Sequence, residues 1–174
     1  GFLMNKQRST SSLNLTNTGK GPRTYVDLGS TTTIADDAGA SFMMWIKPDD
    51  FADHRFLTNG TSDRWRFQSS TIIECNADST DMDFTVSTMT AGEWIHVALV
   101  RTTDDYWLVY TNGNASSSNS ISQNKTFDYR YIGGLGSNSD GVRGQIDNVL
   151  VYGKALDETE VLKNYKATKG SHRN

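Results

Sequence analysis

With one cysteine, Cys75, in 174 residues, no intrachain disulfide can form, and nothing in the cysteine usage marks an oxidising compartment. A strand position beside Ile72 and Ile73 accounts for it. No run approaches the roughly 20 apolar residues that cross a bilayer. The opening GFLMNKQRSTSS lacks the long apolar region of a secretory signal, so neither a signal peptide nor membrane insertion is expected. Basic residues never cluster, and the formal net charge is -3, which argues against nucleic acid because phosphates need grouped cations. Catalytic patterns are equally scarce. His54, His96 and His172 share no spacing that would build a metal cluster or a nucleophile relay, and no serine sits in a Gly-x-Ser-x-Gly elbow. Gly133-Gly134-Leu135-Gly136 lacks both the Lys-Ser or Lys-Thr and the helix of a phosphate cradle, which leaves a turn between strands.

What is present is a succession of short apolar runs separated by Gly, Asn, Asp, Ser and Thr clusters, the pattern of an all-β domain built from hairpins. About eleven short strands are expected, a number that suits a two-sheet sandwich. They lie near 12–14, 25–28, 41–47, 55–58, 65–68, 71–75, 82–86, 94–102, 106–111, 129–133 and 144–152. Two strands carry apolar residues in both alternating rows: Phe42, Met44 and Ile46 alternate with Met43 and Trp45, and Ile95, Val97 and Leu99 with Trp94, Ala98 and Val100. Such strands need covering on both faces, by the opposite sheet on one side and by loops or another layer on the other. Turns are expected at Thr103-Asp104-Asp105 and at Asn112-Gly113. Near the end, Asp157 and Glu160 have the spacing of a capping box and Leu156 and Val161 that of a hydrophobic staple, predicting a helix over 155–167. The patch Asn114 to Asn124 reads as a polar loop or a solvated edge strand. The length suits one domain with its own core. Residues 1–11 are expected to be a tag or linker, 12–166 the domain, and 167–174 a loose polar tail.

Four segments in order carry a family resemblance: SLNLTNTGKGPRTYVDLGS from Ser12, SFMMWIKP from Ser41, GEWIHVALVRTTDDYWLVYTNG from Gly92, and YIGGLGSNSDGVRGQIDNVLVYGKALDETEVLKNY from Tyr131. Together they resemble the laminin G-like group of the concanavalin A-like sandwiches and cover nearly the whole chain. The resemblance implies an antiparallel two-sheet jelly roll with one short C-terminal helix. It also makes His96, inside the Trp94 strand, a structural residue hydrogen-bonded near a sheet rim. The ending NYKATKG is similar to laminin G-like segments in structural proteins of marine bacterial viruses.

Enzymatic relatives of this fold carry a Glu-x-Asp-x-x-Glu strand, because retaining glycoside hydrolysis needs two carboxyl groups about 5 to 5.5 Å apart. The sequence lacks that pattern. Asp81-Met82-Asp83 comes nearest, and solvated edge acids explain it better. The resemblance also implies a structural Ca²⁺ with Asp147 as a ligand and Asp140 as a second, since calcium takes six to eight oxygens from carboxylates and carbonyls; Asp147 alternatively caps a loop. Sugar sites stack pyranose rings on exposed Trp or Tyr beside polar and charged groups. Asp63-Arg64-Trp65, Tyr129 and Tyr131 around Arg130, and Arg143 are the candidate ligand-binding residues, with burial in the core the competing reading for Trp65 and Trp107. The expected function is a noncatalytic recognition module on an extracellular or virion surface, taking a glycan, a surface protein or other virion proteins as partner. A virion decoration or tail component used for assembly is the alternative, and a glycoside hydrolase ranks third.

Overall fold

Successive side chains of a strand point to opposite faces, so a strand with one apolar row needs one cover and a strand with two needs two. That difference sets the layers of this molecule. The computed structural model describes residues 13–15, 25–52, 54–116, 121–122, 124–134 and 141–172. Among them are thirteen strands: β1 (Leu13–Leu15), β2 (Val26–Ile34), β3 (Ala40–Pro48), β4 (His54–Thr58), β5 (Arg64–Ser69), β6 (Ile72–Ala77), β7 (Thr80–Thr85), β8 (Ile95–Arg101), β9 (Tyr106–Thr111), β10 (Asn114–Ala115), β11 (Ile121–Ser122), β12 (Phe127–Ile132) and β13 (Gly144–Tyr152). A seven-stranded sheet runs β1-β13-β3-β8-β9-β10, with β11 also on β9, and a six-stranded sheet runs β2-β12-β4-β5-β6-β7. Every strand pairing is antiparallel. The jelly-roll sandwich expected from the sequence is the fold observed, and the 114–124 patch contributes two short strands rather than a plain loop.

Phe42, Met44, Ile46, Val97, Leu99, Trp107 and Val109 from the larger sheet meet Phe56, Trp65, Phe67, Ile73, Cys75, Met82, Phe84 and Phe127 from the smaller one in a single core. The second row of β3 and β8 needs its own cover. Met43, Ala98 and Val100 pack with Tyr110, Leu156 and Val161 on the outer side of the seven-stranded sheet. Leu156 and Val161 bracket the start of helix α1 (Glu158–Thr168), so the extra layer required by the two-row strands is this helix. Its capping box forms as the sequence predicts: Glu160 N–H donates to Asp157 Oδ1 at 2.8 Å and Asp157 N–H to Glu160 Oε2 at 3.1 Å. The β9–β10 turn brings the chain beneath this helix. Asn112 and Gly113 both have positive φ there, 51° and 79°, and a Cβ on Gly113 would lie 2.8 Å from Leu162 Cδ1. Only glycine satisfies both the turn and the contact.

The loose tail expected over 167–174 is a correction. The helix continues to Thr168, a 3₁₀ turn follows over Lys169–Ser171, and His172 is buried. Its imidazole lies flat on Trp45, with ring centroids 4.4 Å apart and planes 5° from parallel. Its Nδ1 is 3.0 Å from the Thr168 carbonyl and its Nε2 is 3.0 Å from Asp147 Oδ2. Trp45, on the outer row of β3, is thus sealed by Tyr165 and His172, and its Nε1 donates to Thr168 Oγ1. His96 is structural and hydrogen-bonded through its backbone: its N–H donates to Asn112 Oδ1 at 3.0 Å and its carbonyl accepts from Asn112 N–H at 2.8 Å, while its ring meets Trp45 edge-on at 5.3 Å and its Nδ1 has no hydrogen-bond partner among the described residues.

Candidate functional site

Helix α1 covers the seven-stranded sheet, and no helix lies over the outer face of the six-stranded one among the described residues. On that face polar side chains alternate with core residues. Trp65 and Phe67 of β5 point inward and Arg64 and Arg66 outward; Ile73 and Cys75 of β6 point inward and Glu74 and Asn76 outward; Met82 and Phe84 of β7 point inward and Asp81 and Asp83 outward. Register then aligns them. Asp27, Tyr131, Thr58, Arg64, Asn76 and Asp81 form one row across all six strands. Arg55, Arg66, Glu74 and Asp83 form a second. At the usual strand spacing the first row spans about 24 Å.

Glu74, only 2% exposed, organises the centre of this face. It accepts from Arg64 Nε at 2.8 Å, Arg66 Nε at 2.9 Å, Arg66 Nη2 at 2.6 Å and Gln68 Nε2 at 3.3 Å. A carboxylate so surrounded has its acceptor sites taken up by the protein. Arg64 Nη2 also reaches Asp81 at 2.9 Å. Burial, followed by the charges of Glu74 and Asp81, raises the pKa of Asp83. Asn76, 4% exposed, donates through Nδ2 to Asp81 at 2.5 Å. Its Oδ1 is buried and has no donor among the described residues. Leaving a buried acceptor without a donor costs roughly 1–3 kcal/mol.

At the β2–β12 end the row becomes aromatic. Tyr131 meets Tyr25 edge to face at 5.6 Å, and the Arg130 guanidinium lies 5.0 Å from the Tyr131 ring centroid. Asp27 holds Arg130 by two bonds of 2.8 and 2.9 Å. Those bonds, with the Gly29 N–H, lower the Asp27 pKa to about 2.

Of the residues selected from sequence, the structure brings Arg64 and Tyr131 together in the first row, about 10 Å apart by strand spacing. The others lie apart from this row, and for Trp65 the competing reading, burial in the core, is the one observed. Trp65 is wholly buried against Phe56, with ring centroids 4.7 Å apart, and presents no stacking surface. Tyr129 is buried against Phe42 at 5.0 Å. Asp63 is a buried loop cap, accepting from Asp128 N–H at 2.7 Å, Asp78 N–H at 3.1 Å and Ser62 Oγ at 3.2 Å, with its pKa raised by burial against those bonds. Arg143 sits elsewhere, 3.2 Å from an Asp50 carboxylate that also holds His54 at 2.5 Å.

Both carboxylate oxygens of Asp147 are engaged by the protein. Its Oδ1 accepts from Asn148 N–H at 2.7 Å, its Oδ2 faces His172, and no group of three metal-ligating side chains forms among the described residues. The loop-capping alternative accounts for it. Asp140 lies outside the described residues.

Arg66, Glu74, Asn76 and Asp27 escape the sequence reading. Their signal is faint but present. In RWRFQS and IIECNA polar residues alternate with large apolar ones, giving two neighbouring strands solvent rows of complementary character.

Two antiparallel sheets with one outer face left polar define a lectin-type β-sandwich. The chain belongs to the concanavalin A-like lectin/glucanases superfamily, which matches it over residues 19–162. No curated protein sequence matches. Among solved structures, a heptameric SAP-like pentraxin from Limulus polyphemus superposes with a TM-score of 0.67 at 16% identity, covering 86% of this chain and 78% of the pentraxin. A candidate carbohydrate-binding protein from Bacteroides ovatus gives 0.62 at 18%, with 87% of this chain on 46% of that one. The binding domain of botulinum neurotoxin serotype G gives 0.54 at 13%, with 92% on 47%. The chain thus spans less than half the length of the latter two.

Proposed function

We propose that the chain is a noncatalytic recognition module, displayed on an extracellular or virion surface, that binds a glycan on the outer face of the six-stranded sheet. One observation carries this reading: the buried Asn76 Oδ1 lacks a donor in the middle of an uncovered row of fixed polar groups that ends on Tyr131 and Tyr25. A sugar hydroxyl is a donor of the right kind, and the tyrosines offer the apolar surface a pyranose ring stacks on. The fold is shared with part of a Bacteroides chain described as a candidate carbohydrate-binding protein and of a toxin chain described as a binding domain. A hydrolase reading is weakened because Glu74, the central acid, is saturated by two guanidiniums and an amide.

Screening the labelled protein on a broad glycan array tests the proposal. Saturable binding to a defined set of glycans is expected, weakened about tenfold by Asn76→Ala. Silence across the array from protein with a cooperative thermal melt would sink it. The second reading, an assembly part of a virion, has one observation in its favour. Among the described residues strand β2 is bonded only to β12, and it is exposed along nearly its whole length. A defined oligomer in light scattering, together with silence on the array, would favour it.

A further inference from the structure

The charge pattern of the proposed face bears on which glycans it can take, and this step rests on the glycan-binding reading above. Four guanidiniums, of Arg55, Arg64, Arg66 and Arg130, lie on or beside the face with five carboxylates, of Asp27, Glu74, Asp81, Asp83 and Asp128. Three of these cations are already held by carboxylates. Arg66 grips Glu74 with two N–H groups, Arg64 is shared between Glu74 and Asp81, and Arg130 grips Asp27 with two. A sialyl, sulfate or uronate group could engage Arg64 or Arg66 only by drawing it from Glu74, which is almost fully buried. Stranding a buried carboxylate is strongly unfavourable.

The acceptors point the same way. Asn76 Oδ1 needs a donor, and Asp81 beside it already accepts from Arg64 Nη2 and Asn76 Nδ2. Ionised sulfate and carboxylate groups only accept, so placing one here sets acceptor against acceptor and charge against charge. A hydroxyl both donates and accepts. It can bond to the polar groups of the row as donor or acceptor and leave every ion pair on the face intact.

We propose that the ligand of this face is a neutral, hydroxyl-rich glycan, selected against acidic glycans by a lattice in which Arg64, Arg66 and Arg130 are already paired with neighbouring carboxylates. Tyr25, 38% exposed, and Tyr131 form the stacking end of the site.

Calorimetric titration of the full chain with matched neutral and acidic oligosaccharides tests this. The neutral probes are gluco-, manno- and galacto-oligosaccharides; the acidic ones are sialylated lactose, sulfated heparin fragments and oligogalacturonates. Binding of at least one neutral probe is expected, about tenfold or more tighter than any acidic probe, with a Kd that moves less than about twofold between roughly 0.05 and 0.5 M NaCl. Tyr25→Ala, at an exposed position that the core does not need, should weaken that binding about fivefold or more; unchanged affinity places the ligand elsewhere and overturns the proposal. Tighter binding of an acidic probe that fades with salt overturns the neutral-ligand inference while leaving glycan recognition standing. No binding of either kind overturns both.

Discussion

Protonating His96 should unlock the fold from the outer side of the seven-stranded sheet. The residue is 2% exposed, and burial, followed by the charge of His172, lowers its pKa from 6.5 to about 4. The unfolded chain therefore takes up the proton more readily than the folded one. The stability His96 contributes is fully present above about pH 6.5 and is lost as the pH falls toward about 4. Linkage with these two values gives a loss of about 2 kcal/mol at about pH 5 and about 3 kcal/mol once both states are protonated. For a domain of this length the pH 5 loss corresponds to a fall in Tm of about 4 to 8 °C. The other shifted acids act elsewhere or with the opposite sign. Asp27, Asp50 and Glu160 have lowered values, so their losses come at still lower pH, whereas Asp63 and Asp83 have raised values and add stability as they protonate. Urea unfolding, followed by tryptophan fluorescence with Trp45 5.3 Å from the His96 ring, should be compared for the wild type and His96→Phe across this range. The variant should lose the pH dependence even if its absolute stability differs. Parallel curves between about pH 6.5 and 4.5 would refute the assignment.

Three further outcomes are expected. His172→Ala removes the ring stacked on Trp45 and the partner of Asp147, and should cost about 2 kcal/mol in urea unfolding with a red shift of the tryptophan emission. Glu74→Ala leaves Arg64 and Arg66, both mostly buried, without their shared carboxylate, and should cost about 3 kcal/mol, against well under 1 kcal/mol for Asp83→Asn at the exposed end of the same row. Adding Ca²⁺ to chelator-stripped protein should shift the Tm by less than about 1 °C, because both Asp147 oxygens are engaged by the protein; a shift of several degrees would place a calcium site outside the described residues.

How far the fold can be read from the chain is shown by β3. Its two apolar rows demand two covers, and the capped helix near the end supplies the second, so the three layers follow from periodicity and capping chemistry alone. His172 is different. Nothing in KATKGSHRN announces burial, because its stability comes from a tryptophan on β3 and an aspartate on β13, distant in sequence and adjacent only once the sheet has formed.

The site was harder to read than the fold, and Tyr129 and Tyr131 show why. Period-two alternation places them on one face, where both look available to a ligand. The β2–β12 register is irregular between them, Tyr129 pairing with Thr32 and Tyr131 with Asp27, and Tyr129 lies against Phe42 in the core while Tyr131 lies outside with Tyr25. The same irregularity sets Arg130 beside Asp27, which fixes the guanidinium in an ion pair. Trp65 is the complementary case: its position after a polar loop makes it look exposed, yet it is Arg64, one residue earlier, that faces solvent. The polar row is then completed by Glu74, Asn76 and Asp81, brought beside Arg64 by the β5–β6–β7 register. A charge-balanced face of this kind is a property of pairing, not of any local motif. Its geometry is therefore most exposed to changes that slip one strand against its neighbour.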